Sequence, residues 1–585
     1  MKCLLVFPPQ SMPENPYLST ALLKSLLCKN NHPTEQLDLN IRFYNHILKP
    51  EYIKNTLDKL YEDYEKNAEE LFSQYEETKN LEDYTVDFRN QYLKYKKLKE
   101  IDKQQAYESI NNVENYVNII KTGKKKYAKT EIMQARSGIW NILGYLFLPY
   151  FDEKIINNKF FYFIRNFDQL KDFLDESKNI YYEFYEDIIP EIVEKNLDYI
   201  GISIAAQSQM LPGLTLARLL KQKTNAHISI GGSYISRIIG SLKTKPEFFE
   251  LFADSVMYEE GETPVLELMK HLEGKINIEQ VPNLLYLKDG KVEITEKTQT
   301  MALNEIPIPD FADFPMESYY TSKITAPMLA ERGCYWSKCT FCDVCYTGNK
   351  YDFKNPEKVV SEVKELIEKH GFSQFFFVCE AMSPAYLRKL SNEIIKADVK
   401  IEFIIYARVE KEFTEELLAL AKKAGVKEIM WGVESVNERI LGLMNKTNFV
   451  DKDGRLEVIK RANQQGIQNT CFFILGFPGE TREEAEETLD FIRQNKKFMT
   501  NILVSNFNVR EHSLVTENPE KFSIKEMGDK EEFDLYYYQY ETSSGMSSAE
   551  TIKLVEDFCN ELYLSTEIPY YDMHDLVYAS VLWGF

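Results

Sequence analysis

Three cysteines stand close together past the middle of the chain, in the stretch Glu331-Arg-Gly-Cys334-Tyr-Trp-Ser-Lys-Cys339-Thr-Phe-Cys342. Their spacing is C-x4-C-x2-C, which is too tight for a disulfide framework and is typical of a loop that supplies metal ligands. The fold must therefore present this whole stretch as one loop that aims several thiols at one place.

Three thiolates from one loop can bind three irons of a [4Fe–4S] cluster and leave the fourth iron without a protein ligand. An open coordination position is where a metal site does chemistry. Cys345 continues the C-x2-C rhythm, so four thiolates could instead close a structural zinc site. Zinc sites more often take their ligand pairs from separated parts of a chain, and no second pair follows at finger spacing, which favours the cluster.

The cysteine stretch lies in a run of alternating strand and helix patterns. Apolar runs predict strands at 327–330, 374–378, 401–405, 428–432, 471–475 and 502–507, and amphipathic patterns predict helices at 355–369, 412–424, 455–465 and 483–494. About six βα units of this kind indicate a partial version of the barrel whose active site lies at the carboxyl ends of its strands. The first strand would deliver the cysteines at that end.

A second alternating pattern comes earlier in the chain. Strands are predicted at 2–7, 36–39, 199–204, 228–230 and 255–258, with helices at 18–28, 210–221 and 264–271 and a small hairpin over 284–296. Strand, turn and helix in repetition predict a parallel, doubly wound sheet. Ligands of such sheets bind at the carboxyl ends of the strands.

Composition divides the chain further. Residues 50–195 interrupt the first pattern with Tyr-, Lys-, Glu- and Asn-rich helical segments, and prolines at 307, 309 and 315 mark a linker. We expect an α/β protein of about three or four domains. The predicted domains are a Rossmann-like domain at 1–49 and 196–300, a helical insertion at 50–195, a partial (β/α)6 barrel at 301–515, and a small C-terminal α/β cap at 516–585.

Charge and cysteine usage restrict the class of protein. The formal net charge of −21 argues against a general nucleic-acid binder, which would carry a basic face. Nine cysteines, four of them between 334 and 345, suit a reducing cytoplasm better than a disulfide scaffold. No stretch reaches the apolar length that spans a bilayer, so we expect a cytoplasmic protein without a membrane partner.

Cys339-Thr-Phe-Cys342, with an aromatic residue before the last cysteine, resembles the radical S-adenosylmethionine (SAM) family. The usual spacing in that family is C-x3-C-x2-C, and this sequence has one extra residue in the first gap. The resemblance implies a [4Fe–4S] cluster held by Cys334, Cys339 and Cys342, with SAM on the open iron. It also implies an electron donor of the flavodoxin or ferredoxin type.

Residues at the predicted strand ends suit the parts of SAM. Glu380 is placed to accept from the amino group or ribose, and Arg408 can form a two-pronged pair with the carboxylate. Glu434 and Ser435 match the family's ribose-binding position. The predicted adenine contacts are Phe341, Ile474 and Gly476.

The first 300 residues, without the insertion, resemble the cobalamin-binding domain of cobalamin-dependent radical SAM enzymes. The phrases "PP…PYLS", "IGISI", "IGGSY" and "EEGETP" carry this resemblance. The implied cobalamin-binding residues are Pro8, Pro9, Ser203, Gln207, Gly231, Gly232, Ser233, Tyr234, Glu260, Gly261 and Glu262. The loop after the first strand contains no histidine, so the lower face of cobalt would lack a His ligand, which favours cobalt(I) able to attack a methyl group.

The resemblance implies an enzyme that forms a 5′-deoxyadenosyl radical and methylates an unactivated carbon of a peptide or small natural product. The style "RGCYWSKCTFC" resembles maturases of ribosomally made peptides. Alternatives are a radical cyclisation or rearrangement without methyl transfer, a non-catalytic zinc-binding protein, and a tRNA methylthiolating enzyme. The acidic charge disfavours the last of these.

The segment after 515 is expected to close the open side of the barrel. It contains only Cys559, and so lacks the seven-cysteine extension that binds auxiliary clusters in many peptide-modifying relatives. His512 and the tyrosine-rich run 536–540 are candidate substrate contacts, although a tyrosine run is more often packing than chemistry.

Overall fold

The computed structural model describes residues 1–153, 156–157, 161–343, 350–446, 451–537 and 539–566. The chain forms two compact units, one of residues 1–299 and 310–323 and the other of residues 300–309 and 324–585. Residues 310–323 thus fold with unit 1, whereas the predicted boundary assigned them to the barrel domain. They are held there by buried contacts, among them a 2.6 Å hydrogen bond from the Tyr319 hydroxyl to Asp38.

Unit 1 is built on a seven-stranded sheet. Its strands are β1 (Cys3–Phe7), β2 (Thr34–Asp38), β3 (Tyr199–Ser203), β4 (His227–Gly231), β5 (Ser255–Met257), β6 (Leu284–Lys288) and β7 (Lys291–Ile294), in the order β2-β1-β3-β4-β5-β6-β7. The first five strands run parallel, and the β6–β7 hairpin extends the sheet antiparallel. The order of the parallel strands places a topological switch point between β1 and β3.

Helices cover the parallel part of this sheet because its strands are apolar on both faces. The burial of every residue of β1 is typical of a central parallel strand. The helices of this layer are α1 (Leu18–Lys29), α2 (Leu39–Ile47), α9 (Met210–Lys223), α10 (Ser233–Leu242), α11 (Pro246–Leu251) and α12 (Glu262–Leu272).

The insertion between α2 and β3 is helical, as the composition predicts. Its helices are α3 (Pro50–Thr78), α4 (Val86–Glu100), α5 (Lys103–Thr122), α6 (Lys129–Phe147), α7 (Phe167–Asp172) and α8 (Tyr181–Glu194). One of the most apolar of them, α6, buries Ile139, Ile142, Leu143 and Leu146. The fully buried rings of Phe43 and Tyr181, with centroids 5.0 Å apart, join the insertion to α2. The insertion therefore shares its core with the sheet domain.

Unit 2 is built on a six-stranded, fully parallel sheet. Its strands, in spatial as well as chain order, are β8 (Thr325–Leu329), β9 (Gln374–Val378), β10 (Glu402–Arg408), β11 (Val426–Glu434), β12 (Gln468–Leu475) and β13 (Asn501–Asn506). The helices between them are α13 (Pro356–His370), α14 (Pro384–Lys396), α15 (Glu415–Ala424), α16 (Glu438–Leu443), α17 (Lys452–Gln464) and α18 (Arg482–Asn495). β8 and β13 are the two edges, so the sheet is a partial barrel.

The described residues after β13 pack with the partial barrel rather than forming a separate domain. It contains α19 (Leu514–Glu517), α20 (Ser548–Thr566) and two short antiparallel pairs, Val509–Arg510 with Tyr536–Tyr537 and Ile524–Met527 with Tyr540–Thr542. Phe507, Val515 and Phe522 share one buried cluster with Ile440 and Phe477 of the sheet region. The C-terminal segment is therefore part of unit 2, and residues 567–585, with the apolar stretch 576–585, lie outside the described residues.

Candidate functional site

The cysteine loop, residues 333–343, follows β8 after a two-residue strand, Glu331–Arg332, that pairs with Asp352–Phe353. Gly333 has φ +74° and Ser337 has φ +45°, so the loop turns twice in the left-handed region. Cys339 is buried, whereas Cys334 and Cys342 are half-buried. Cys345 lies outside the described residues, and its role as a ligand stays open.

The loop is fixed mainly to the segment that follows α16. The Thr340 amide donates to the Met444 carbonyl at 3.1 Å, and its hydroxyl donates to the Leu443 carbonyl at 2.8 Å. Asn445 donates its side-chain amide to the Lys338 carbonyl at 2.9 Å. The backbone of the loop on either side of Cys339 is therefore fixed to this segment.

The chemistry of the three thiols fits an iron–sulfur cluster. Burial raises the pKa of Cys339 to about 11, while Lys446 and Arg408 act in the opposite direction by favouring the thiolate. Within the described ranges, no three His, Cys, Asp or Glu side chains converge on one point as the ligands of a single ion do. A [4Fe–4S] cluster does not need such convergence, since each thiolate binds a different iron.

A cavity of about 330 Å³ opens at the carboxyl ends of β9 to β13. Five of the seven predicted SAM residues, namely Phe341, Glu380, Arg408, Glu434 and Ile474, line it. The other lining residues are Ala381, Tyr406, Ala407, Met430, Gly432, Lys446, Phe472, Phe473, Leu503 and Ser505. The cavity is thus an apolar floor with two cations and two carboxylates at its rim, the usual composition of a small-ligand site.

Arg408 ends β10 and is almost fully buried. Its guanidinium carbon lies 4.0 Å from the centroid of the Trp336 ring, and its Nε lies 3.7 Å from a Glu410 carboxylate oxygen. Trp336 in turn donates its indole N–H to the Asn445 carbonyl at 3.1 Å. The cysteine loop therefore contacts the one arginine that lines the cavity among the described residues.

Glu434 ends β11 and forms a buried ion pair with Lys446 at 2.5 Å. Its φ of +65° is in the left-handed region, and the pairing of β11 with β12 shifts register between Gly432 and Glu434. A Cβ on Gly432 would lie 2.7 Å from the Lys446 ammonium and 2.8 Å from the Glu434 carboxylate. Only glycine leaves room for this pair, and such backbone outliers concentrate at functional sites.

Ser435 and Gly476, also predicted as SAM contacts, do not line the cavity. The Ser435 hydroxyl is fully buried, lies 3.2 Å from the Thr488 hydroxyl, and accepts from the Asn437 amide at 3.1 Å. The Gly476 amide donates to the buried carboxylate of Glu480. Ser435 thus stabilises the turn into α16, and Gly476 the turn after β12.

The candidate substrate contacts in the C-terminal region have different positions. His512 is exposed, whereas Tyr537 and Tyr540 pack against the buried cluster around Phe477 and Phe507. The Tyr540 hydroxyl donates to the Phe507 carbonyl at 3.2 Å. These two tyrosines therefore act in packing, and residue 538 lies outside the described part of the chain.

Sequence reasoning missed several residues of the site. Lys446 lies in a turn between helices, and Trp336 and Tyr406 read as ordinary aromatic residues, so no local pattern marks them. Arg455, in the first turn of α17, is buried, and its Nε and one terminal nitrogen have no hydrogen-bond partner within the described ranges. A buried arginine near the start of a polar helix is a weak signal that periodicity could have flagged, because such a charge is rarely buried without a partner.

Unit 1 presents its own ligand edge at the carboxyl ends of β1, β3, β4 and β5, where the predicted cobalamin residues lie. Pro8 and Pro9 follow β1, and the Ser203 hydroxyl at the end of β3 lies 3.2 Å from that of Ser19. Gln207 donates to the Ile164 carbonyl of the insertion at 3.1 Å. The buried Gln10 amide nitrogen and Thr20 hydroxyl have no hydrogen-bond partner among the described residues.

In the turn from β4 into α10, the backbone at Gly232 lies close to the backbone of Ile204. A Cβ on Gly232 would lie 2.3 Å from the Ile204 carbonyl oxygen, and its φ is +115°. The exposed Ser233 hydroxyl donates to the Ala205 carbonyl at 3.0 Å. Of the remaining predicted residues, Gly231, Glu260 and Gly261 are half-buried, whereas Tyr234 and Glu262 are buried.

Comparisons with known proteins agree with this geometry. Residues 331–492 match the sequence model of the "Radical SAM superfamily". An uncharacterized methyltransferase from Pyrococcus horikoshii is 27% identical over 320 residues, which cover 53% of this chain and 67% of the relative. The anaerobic magnesium-protoporphyrin IX monomethyl ester cyclase of Rubrivivax gelatinosus is 28% identical over 303 residues, which cover 49% of this chain and 52% of the relative.

Among solved structures, the radical SAM methyltransferase TsrM from Kitasatospora setae, which holds cobalamin and a [4Fe–4S] cluster, superimposes with a TM-score of 0.52. It is 13% identical, and the superposition covers 89% of this chain and 75% of that one. At this identity the likeness concerns the fold.

Residues 331–492 therefore form a radical SAM domain, as the cysteine spacing and the strand pattern predict. Beyond this domain the similarity is one of fold: the chain is of α/β class and shares its fold with TsrM. A [4Fe–4S] cluster and SAM are the cofactors that such a domain implies. No described helix is both long and apolar enough to cross a bilayer.

Proposed function

We propose that this protein is a cobalamin-dependent radical SAM methyltransferase that modifies an unactivated carbon. One observation carries the proposal. A single chain combines a cysteine-loop sheet that has a cavity at its carboxyl edge with a doubly wound sheet that has a glycine-rich carboxyl edge. Each sheet provides a ligand edge of the kind that parallel α/β folds use.

In unit 2, Cys334, Cys339 and Cys342 would hold the cluster. The cluster and SAM, when bound, supply the radical chemistry that the protein itself lacks. Arg408 would bind the carboxylate of SAM in the plane of its guanidinium, and Glu380 or Glu434 would accept from its amino or ribose groups. Met430, Tyr406 and Phe472 form the apolar floor that excludes water from the reacting carbon.

In unit 1, the edge at β1, β3, β4 and β5 would hold cobalamin. The close approach at Gly232 keeps the turn after β4 flat, and the Ser19 and Ser203 hydroxyls offer polar groups at the switch point between β1 and β3. Residues 8–17 contain no histidine, so this loop gives cobalt no imidazole ligand. Bound cobalamin would supply the methyl group for transfer.

A peptide or a small natural product remains the proposed substrate, with a reduced flavodoxin or ferredoxin as electron donor. The name of the Pyrococcus horikoshii relative supports methyl transfer. The Rubrivivax gelatinosus cyclase, which matches to a similar degree, supports a second candidate, ring formation without methyl transfer.

The test does not need the substrate. The protein is reconstituted anaerobically with iron, sulfide and hydroxocobalamin, reduced, and mixed with SAM that carries an isotope label in its methyl group. We expect 5′-deoxyadenosine release, corrin that stays with the protein on gel filtration, and labelled methylcobalamin. Deoxyadenosine without labelled methylcobalamin would favour the cyclase candidate, and iron-loaded protein that releases no deoxyadenosine would contradict both.

A further inference from the structure

The first gap of the cysteine loop holds Tyr335, Trp336, Ser337 and Lys338, one residue more than the usual spacing of the family. Ser337 adopts φ +45° and its hydroxyl donates to the Cys334 carbonyl at 2.5 Å, so the extra length is taken up in a tight turn. The two aromatic residues before this turn are half-buried. Tyr335 contacts Glu410, just after β10, and Trp336 contacts Arg408, the last residue of β10.

Trp336 stacks on Arg408. The guanidinium carbon is 4.0 Å from the ring centroid, which is contact distance for a cation over an aromatic face. The indole N–H is fixed by the Asn445 carbonyl at 3.1 Å, so the ring cannot rotate freely. The N–H groups of a guanidinium lie in its plane, so a ring stacked on one face does not block them and instead limits the tilt of the group.

Tyr335 contacts Glu410, which lies beside Arg408. Its hydroxyl donates to a Glu410 carboxylate oxygen at 2.5 Å, and the same oxygen lies 3.7 Å from Arg408 Nε. A carboxylate that already accepts from a tyrosine competes less strongly for the guanidinium. Tyr335 and Trp336 thus act together on the orientation and on the charge balance of Arg408, which lines the cavity.

We infer that Trp336, with Tyr335, is a positioning residue that presents Arg408 to the amino-acid carboxylate of SAM. The inference rests on the proposed use of the cavity as the SAM site. It gives the widened C-x4-C gap a role in ligand affinity that is separate from cluster binding, because neither aromatic side chain supplies a thiol. A cation–π contact of this kind is expected to change affinity by roughly three- to thirty-fold.

The experiment measures dissociation constants of cluster-loaded wild type, Trp336→Leu and Trp336→Phe by equilibrium dialysis. The ligands are SAM and 5′-methylthioadenosine, which has the same adenine and ribose but no amino-acid carboxylate. We expect Trp336→Leu to weaken SAM binding about ten-fold and methylthioadenosine binding less than two-fold. Trp336→Phe, which keeps an aromatic face, should lie near wild type for both ligands.

Iron content and the visible spectrum are measured in parallel, and both should match wild type in the two variants. Equal weakening of both ligands in Trp336→Leu, or SAM binding unchanged from wild type, would overturn the inference. Loss of iron in Trp336→Leu would also overturn it, since the residue would then act on the cluster loop itself. Failure of wild-type, iron-loaded protein to bind SAM would instead contradict the proposed function.

Discussion

The loop after β1 in unit 1, residues 8–17, and the cysteine loop of unit 2 follow the first strand of their respective sheets. Both stand at a carboxyl edge, yet they are fixed by different means. The cysteine loop is held through its own backbone and through the side chains of Tyr335, Trp336 and Thr340. The loop 8–17 is held by side chains that reach it from outside.

Residues from several elements of unit 1 hold the loop 8–17. Tyr181 of the insertion donates to the Gln10 side chain at 2.9 Å, and Arg136 of α6 forms a buried ion pair with Glu14. Asn40 of α2 accepts from the Ser11 amide at 2.8 Å, and the Tyr320 amide donates to the Pro13 carbonyl at 2.9 Å. The loop 8–17 is thus attached mainly by side chains of other elements, whereas the cysteine loop is attached mainly by its own side chains and backbone.

The position after the first strand of a parallel sheet can therefore serve two purposes. In unit 2 the thiols of the loop would supply the metal ligands, while its other side chains attach it to the protein. In unit 1 the loop would supply a surface for a ligand, and the helical insertion supplies Tyr181 and Arg136, which hold it. The insertion is in this respect more than a cover for the sheet.

The largest effect is expected from Cys339→Ala, which removes a thiol that the cysteine loop keeps for its ligand. We expect the iron content after anaerobic reconstitution to fall to background, because two thiols from one loop hold a cluster poorly. Cys28→Ala, at an exposed cysteine of α1, is the matched control and should keep its iron. Retained deoxyadenosine release in Cys339→Ala would contradict the ligand assignment.

Arg136→Met tests how the loop 8–17 is held. It leaves the Glu14 carboxylate buried and unpaired, and burial already raises the pKa of Glu14. We expect unit 1 to lose about 3–5 kcal/mol in denaturant unfolding. Arg42→Met, which breaks the more exposed pair with Glu191, should cost at most about 1 kcal/mol. Equal losses in the two variants would show that α6 does not hold the loop.

Asp38→Asn tests, through the pH dependence of stability, how α2 contributes to holding the loop 8–17. Asp38 accepts from the first turn of α2, the helix that carries Asn40, and burial raises its pKa to about 6 from 3.8. The folded state therefore keeps a proton that the unfolded state has lost, and stability of unit 1 falls as pH rises from about 4 to above 6. At about 1.4 kcal/mol for each pH unit, the upper limit of the fall is about 3 kcal/mol.

The measurement for this prediction is hydrogen exchange of the α2 amides at pH 5 and pH 7.5, corrected for intrinsic rates. Asp38→Asn cannot ionise, so its protection relative to wild type should rise between the two pH values. A constant difference between the two proteins would mean that the pKa of Asp38 is not raised in the folded state.

The smallest effect is expected from Thr340→Val. The substitution removes the hydroxyl that donates to Leu443 but leaves the backbone hydrogen bonds of the cysteine loop in place. We expect a loss of about 1 kcal/mol in unfolding and unchanged iron content. A loss of iron in this variant would show that the Thr340 hydroxyl, rather than the backbone hydrogen bonds, keeps the cysteines in place.

The sequence predicted most of the architecture because the strands of both sheets are short apolar runs bounded by turns. The strand over Gln374–Val378 agrees residue for residue, while β10, β11 and β12 extend further than their apolar cores indicate. The helix α14 was not predicted, although Tyr386, Leu387, Leu390 and Ile394 recur at helical spacing. Glu380, Arg408 and Glu434 could be predicted as site residues from their positions at strand ends, because parallel strands bring their carboxyl ends to one edge of the sheet.

By itself, then, the sequence determined the cysteine ligand loop, the two parallel sheets and the edge on which each site lies, since these depend on spacing and periodicity along the chain. Only the tertiary structure decided that Lys446 pairs with Glu434, that Trp336 covers Arg408, that Ser435 and Gly476 turn away, and that Arg136 reaches Glu14. These pairs join residues from different elements, and no local pattern encodes a contact that forms only when separate strands and helices pack together.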